Sequence, residues 1–268
     1  MNGWTQFLIW KAVILYEYQN NYNVVITMYF LYGKTKLGIG IEDVNRKDRK
    51  FAKKFWKHVY PVLGNEIVWG GGFTMYSVIM GHLGSDAVAA NSIANITKNL
   101  LICVCTGFGY GGSIIIGNML GEGNLSDARK SGNILCRIAL FSGCITGGMI
   151  LLLIPVILHF VRLTDVATGY LKVMLIMSSY YVIGKSVNSM TIGGIFPAGG
   201  DTKFGLCCDA VTMWCFAVPL GYIAAFVFKW PVLLVYFVLN LDEIVKLPAV
   251  YKHYRRYKWL NNLVKKEN

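Results

Sequence analysis

Residues 132–160 read GNILCRIALFSGCITGGMILLLIPVILHF, and this stretch indicates the class of fold. Arg137 is the one charged residue (Lys, Arg, Asp or Glu) in this stretch. A helix rises about 1.5 Å per residue, so about 20 apolar residues cross a hydrocarbon layer about 30 Å thick. The stretch is therefore long enough and apolar enough to be a membrane-spanning helix.

The same pattern recurs on both sides of this stretch. The six apolar segments are Val59–Leu83, Val88–Gly117, Gly132–Phe160, Thr168–Phe196, Phe204–Phe228 and Val232–Tyr251. A partial seventh segment lies within residues 1–33, where Lys11 and Glu17 interrupt the apolar run. Hydrophobic residues make up 55% of the chain and charged residues only 15%. We therefore predict an all-α polytopic membrane protein, in which a six-helix transmembrane bundle is embedded in a lipid bilayer.

The basic residues are distributed unevenly between the gaps. A net charge of +12 on a soluble chain would suggest a nucleic-acid partner. Here, however, eighteen Lys and Arg residues lie in gaps on one side of the predicted bundle and two on the other, which argues against nucleic acid. The positive-inside rule makes the first side cytoplasmic. We predict a basic cytoplasmic linker at 34–58, a six-helix lobe at 59–251 and a basic cytoplasmic tail at 252–268. Both ends of the lobe then face the cytoplasm at the plasma membrane.

No set of residues with the pattern of a catalytic or metal site is apparent. All seven cysteines lie inside apolar runs, where cysteine usually behaves as a small hydrophobic residue. Cys103 and Cys105, like the adjacent Cys207 and Cys208, lack the spacing and the histidine partners of a metal site. The sequence predicts neither an enzyme nor a bound cofactor.

Ionisable and polar residues inside the predicted spans are the candidates for function. Such residues are costly in lipid and normally face a bundle interior or a watery cavity. Glu66, with Asn65 beside it, is the strongest candidate. Lys98, Lys185 and Asn188 fall at middle depth and are expected to line a cavity with it. The alternatives are a structural Glu66–Lys98 ion pair and a Lys185 side chain that extends to the cytoplasmic surface.

Two further acidic positions have structural interpretations. Asp209 lies near the cytoplasmic end of its segment, which favours a role at a helix end. Asp242 and Lys246 are four residues apart, with Glu243 adjacent. That spacing is typical of a helix face whose charges neutralise each other.

Five motifs then show a resemblance to a known family. They are GHLGSDAVAANSIANI, IGNMLGEGNLSDARKSG, GIFPAGGDTKF, DAVTMWCFAVPLGY and LDEIVKLPAVYKHYRRYKWLNNL. In this order and spacing they resemble the multidrug and toxic compound extrusion (MATE) transporters. The resemblance covers about residues 24–263 and is to the C-terminal half, helices seven to twelve of twelve.

The resemblance implies one lobe of a secondary antiporter that exports cationic, often aromatic compounds in exchange for Na⁺ or H⁺. It implies a cation-coupling role for Glu66, which matches the family's helix-seven glutamate. Some branches also carry an acidic residue in helix ten, where this sequence has Lys185 and Asn188. Small organic cations are the implied ligands.

Three other interpretations remain open. The first is a truncated remnant without transport of its own. The second is a half that works with an N-terminal lobe or with a second copy of itself. The third is a flippase for lipid-linked sugars, as in related families of the same superfamily.

Overall fold

The computed structural model describes residues 49–261. The chain divides into two compact units, Met1–Lys54 and Phe55–Asn268, and the second unit contains the helical bundle. The predicted partial segment at 1–33, the first part of the basic linker and the last seven residues of the tail lie outside the described residues.

The described chain folds into helices throughout and contains no strand. Five long helices are followed by three short ones: α1 (Arg49–His82), α2 (Ser85–Glu122), α3 (Leu125–Phe160), α4 (Asp165–Ala198), α5 (Thr202–Val227), α6 (Val232–Leu239), α7 (Asp242–Val245) and α8 (Leu247–Arg255). Helix α4 contains a π-helical turn at Thr191–Ile195, and α5 contains two, at Val211–Ala217 and Ile223–Val227. Such turns widen the helix locally and are frequent at functional sites.

Helices α2 to α5 are long and apolar enough to cross a membrane. Their outward side chains are apolar as well: Phe141, Leu152 and Phe160 are each at least 70% exposed. A surface of this kind is expected against lipid and is unfavourable in water. The prediction of an all-α polytopic membrane protein is therefore confirmed.

The structure differs from the predicted segments at both ends of the lobe. Among the described residues, the first helix begins at Arg49, ten residues before the predicted apolar segment that starts at Val59. The last segment, predicted as one helix, is broken after α6. Asn240 ends α6, where its side-chain amide donates to the Tyr236 carbonyl over 2.8 Å, and Pro248 lies in the first turn of α8. The break turns the charged residues of α7 inward, where Glu243 is fully buried.

Two apolar clusters hold the helices together. The first surrounds Leu171 and Tyr236, and the second surrounds Phe196 and Trp259. On α4, Tyr181 belongs to the first cluster and Met190 to the second. The polar residues of α4 that concern function fall between these two levels, so apolar packing fixes them from both sides.

Helix α4 also approaches its neighbours very closely. A Cβ atom on Gly109 of α2 would lie 2.9 Å from the Ser189 carbonyl oxygen of α4, and one on Gly147 of α3 would lie 2.6 Å from the Ser179 carbonyl oxygen. Only glycine permits backbones this near to each other, as is common where membrane helices pack. These approaches set the position of α4 against α2 and α3.

Helix α4 begins with a cap that also connects it to α2. The Thr164 hydroxyl accepts from the Ala167 backbone N–H over 3.1 Å and donates to Asp86 Oδ1 over 2.7 Å.

We expect Thr164→Ala to lower the free energy of unfolding by about 1 kcal/mol, because it removes a side-chain cap. Thermal unfolding in detergent measures the change. Thr164→Ser retains the hydroxyl and is expected to unfold like the wild type; equal loss in both variants would contradict the capping explanation.

Candidate functional site

A polar cleft of about 180 Å³ opens between α1, α2, α4, α5 and the short C-terminal helices. Four of its lining residues are charged, and others are aromatic or carry amide groups. The charged and aromatic ones are Glu66, Asp209, Lys185, Lys246, Trp69 and Tyr110. A cleft of this polarity within a bundle of lipid-facing helices is a feature of proteins that move solutes.

Three of the cleft-lining residues, Asp209, Lys246 and Lys185, form a largely buried ion-pair network with Glu243. Lys246 Nζ is 2.7 Å from Asp209 Oδ1 and 3.1 Å from Glu243 Oε1. Lys185 Nζ is also 3.1 Å from Glu243 Oε1. The side-chain amide of Asn188 donates to the other carboxylate oxygen, Oε2, over 2.7 Å. Two carboxylates and two ammonium groups are thus paired, which offsets the large cost of removing these charges from water. The Asp242 carboxylate next to Glu243 is also buried, and its Oδ1 has no hydrogen-bond partner.

Lys185 is the most exposed member of this network. Its side chain is 15% exposed, whereas the Glu243 side chain is fully buried. Its ammonium group lies 4.1 Å from the centre of the Trp69 ring. A cation over an aromatic face gains about 0.5–2 kcal/mol, depending on how far it is removed from water. Lys185 therefore joins α4, α1 and α7 through its terminal ammonium group.

Glu66 differs from the other charged residues of the cleft because it has no partner. Its side chain is exposed and makes no hydrogen bond or ion pair with any described residue. The neighbouring Asn65 has a buried Oδ1 without a donor. The cleft's one unpaired charge, among the residues that the structure describes, is therefore negative.

The structure brings four of the five predicted site residues together. Asn65, Glu66, Lys185 and Asn188 all line the polar cleft. Their roles in transport stay a prediction, because a shared cleft does not by itself show binding. Lys185 does not extend to the surface, since it pairs with buried Glu243.

Lys98 lies apart from the cleft, and the Glu66–Lys98 pair is wrong. Lys98 is 3% exposed and borders a second cavity of about 20 Å³, which is room for a single water molecule. Its ammonium group donates to Asn240 Oδ1 over 3.3 Å and lies 4.3 Å from the centre of the Tyr181 ring. Asn240, at the C-terminal end of α6, therefore lies beside Lys98.

Glu243, the central residue of the network, was not among the residues predicted to be functional. Lys246 does not pair with the Asp242 carboxylate as predicted; only its backbone N–H bonds to the Asp242 carbonyl, over 3.2 Å. Asp209 forms a buried ion pair instead of a helix-end interaction. The sequence did contain a signal for this network. Two apolar segments carry three carboxylates and a lysine, and charged side chains in such segments require partners. They are Asp209, Asp242, Glu243 and Lys246.

These features together define a multi-pass helical membrane protein of the transporter class. The MatE family model matches residues 61–223, more than half of the chain, and the chain belongs to this family. The match and the coverage of about half of a solved transporter agree with the predicted C-terminal half.

Curated relatives with similar sequences carry the name "Probable multidrug resistance protein NorM". The one from Mannheimia succiniciproducens is 27% identical over 156 residues, which are 56% of this chain and 32% of the relative. The one from Pseudomonas syringae pv. tomato is 25% identical over 199 residues, 68% of this chain and 41% of the relative. The chain therefore spans well under half of the length of these two relatives.

Solved structures show the same fold. A MATE protein in its straight conformation superposes with a TM-score of 0.75 at 17% identity, over 88% of this chain and 53% of that one. The Vibrio cholerae MATE transporter VcmN in the bent form gives a TM-score of 0.69 at 13% identity, over 80% of this chain and 48% of that one. At these identities the likeness concerns the fold alone.

Proposed function

We propose that this chain forms one lobe of a secondary antiporter that exports cationic, aromatic compounds across the plasma membrane in exchange for Na⁺ or H⁺. The observation that carries the proposal is the unpaired Glu66 carboxylate in a cleft that also holds Trp69 and Tyr110. A carboxylate attracts the charge of an organic cation, and aromatic rings pack against its flat apolar body. The name of the NorM relatives, "Probable multidrug resistance protein", supports drug export as the activity.

The lobe is expected to work against a partner that closes the cleft. Glu66 and Tyr110 are exposed, and an exposed carboxylate at membrane depth is costly in lipid. A second lobe, either within a longer chain or as a second copy, would cover this polar face. We propose that both ends of the six-helix lobe are cytoplasmic, on the basis of the eighteen-to-two distribution of basic residues between the gaps.

Gradient-driven export from lipid vesicles tests this function. The vesicles contain the full protein that carries this sequence, and export of ethidium, a planar aromatic cation, is followed by fluorescence under an imposed Na⁺ or proton gradient. We expect Glu66→Gln to lower the export rate by about tenfold, which corresponds to about 1.4 kcal/mol of lost charge interaction.

Glu122→Gln is the matched control, because Glu122 is an exposed carboxylate at the end of α2 and is not among the residues that line the cleft. Export that is equal in the wild type and Glu66→Gln would contradict the role of Glu66. Absence of export by the wild type under either gradient, with and without an added partner lobe, would favour the non-transporting remnant. Movement of a lipid-linked sugar in place of ethidium would favour the flippase.

A further inference from the structure

Lys98 is a buried charged group that has few polar partners of its own. It is 3% exposed, and of the three N–H donors that an ammonium group has, one is directed to Asn240 Oδ1 over 3.3 Å. The Tyr181 ring lies over the group at 4.3 Å. The buried Asp242 carboxylate attracts Lys98 electrostatically but forms no ion pair with it. Lys98 therefore has N–H groups that reach no acceptor oxygen among the described residues.

The hydroxyl of Tyr76 on α1 also lacks a partner. Its oxygen is buried and makes no hydrogen bond with any described residue. A hydroxyl in this position has lost its hydrogen bonds to water and gains none in exchange, which is unfavourable. Buried polar groups of this kind are usually bonded to another protein group or to an ordered water molecule.

One small cavity borders both of these groups. Its volume is about 20 Å³, and it lies between α1, α2 and α6, with Tyr76, Lys98 and Asn240 in its wall. The amide side chains of Asn91 and Asn95 are also in the wall. A buried water molecule needs about 10–15 Å³ of such volume and two to four polar partners. The cavity meets both requirements, whereas an organic compound is too large for it and a cation would be repelled by Lys98.

We propose that a single water molecule is bound in this cavity by Lys98 and Tyr76, and that it connects α1 to α2. The water accepts a hydrogen bond from Lys98 Nζ and makes a second one with the Tyr76 hydroxyl, so both groups gain a partner. Asn240, which accepts from Lys98, extends the connection to the end of α6. Because α1 also carries Glu66, the water helps to position the helix that bears the unpaired carboxylate of the cleft. The water site does not depend on the proposed antiport.

The sign of the effect of Tyr76→Phe on stability tests the proposal. A hydroxyl that is bonded to water contributes to stability, so we expect this variant of the full protein to unfold in detergent about 2 °C or more below the wild type. A hydroxyl without a partner is a cost to the folded state, and its removal would leave the unfolding temperature unchanged or raise it. A Tyr76→Phe variant that is at least as stable as the wild type would therefore overturn the proposal.

Tyr180→Phe is the matched control. The Tyr180 hydroxyl is also buried and without a hydrogen-bond partner, but Tyr180 lines neither the cleft nor this cavity. We expect no decrease in the unfolding temperature of this variant. Equal decreases in Tyr180→Phe and Tyr76→Phe would also overturn the proposal, because the effect would then not depend on the cavity.

Lys98→Met tests whether the two side chains act through the same water. Methionine has a similar length but no ammonium group, so the water loses one of its two partners. In a Lys98→Met background we expect Tyr76→Phe to lower the unfolding temperature by at most about half as much as in the wild type. Fully additive effects would contradict a shared water molecule.

An experimental structure that shows ordered waters gives a direct result, even if Lys98→Met does not fold. We expect one density peak within about 3.2 Å of both Lys98 Nζ and the Tyr76 hydroxyl oxygen. An empty cavity, or a peak that is bonded to only one of these groups or to neither, would overturn the proposal.

Discussion

Replacing Glu243 by glutamine is expected to destabilise the protein by about 3–5 kcal/mol, the largest effect of any single substitution considered. Glu243 is fully buried, accepts hydrogen bonds from Lys185 and Asn188, and forms an ion pair with Lys246. Glutamine has nearly the same shape but carries no charge. The variant therefore leaves a lysine with an uncompensated charge inside the bundle, and breaking one side of a buried pair is far more costly than removing the pair.

Thermal or SDS-induced unfolding in detergent measures this loss. Glu66→Gln is the matched control, because it makes the same chemical change at an exposed and unpaired carboxylate, and we expect it to unfold within about 0.5 kcal/mol of the wild type. Adding Lys185→Met to Glu243→Gln should restore part of the stability, since the uncompensated ammonium group is then absent. Equal stability of Glu243→Gln and Glu66→Gln would show that the network does not hold the lobe together.

Most of the fold could be predicted from the sequence because lipid imposes a simple rule on length and apolarity. Four of the six predicted segments correspond to long apolar helices, and Gly132–Phe160 lies within α3. The last segment was predicted less well. Its break follows from the side chain of Asn240 and from buried charges in α7, and a count of apolar residues does not register either.

Only part of the candidate site could be predicted from the sequence. A carboxylate or amide in an apolar run is visible in the sequence, and Asn65, Glu66, Lys185 and Asn188 do line one cleft. Their partners depend on helix rotation and on contacts between distant segments. The Lys185–Glu243 pair joins residues 58 positions apart, and the i,i+4 spacing of Asp242 and Lys246 pointed to the wrong carboxylate.

The close approach of α3 and α4 helps to fix the geometry of the Lys185–Glu243 pair. Gly143 and Gly147 of α3 lie against the backbone of α4 around Ile183 and Ser179, both within about two turns of Lys185. The backbones fix the rotation and depth of α4, and therefore the direction in which Lys185 and Asn188 point. The geometry of the cleft thus depends on residues that have no polar side chain.

Gly147→Ala is accordingly expected to destabilise the protein by up to about 3 kcal/mol, although it adds a single methyl group. The new Cβ would lie 2.6 Å from the Ser179 carbonyl oxygen, and the contacted atom belongs to the backbone, so a helix must move rather than a side chain. Overpacking of a tight interior usually costs about 1–3 kcal/mol.

Gly148→Ala is the control, because its Cβ would have no atom within 4 Å. It makes the same change of residue type one position along the same helix. Unfolding in detergent measures both variants, and a loss in Gly148→Ala as large as in Gly147→Ala would assign the effect to helix α3 itself instead of its contact with α4.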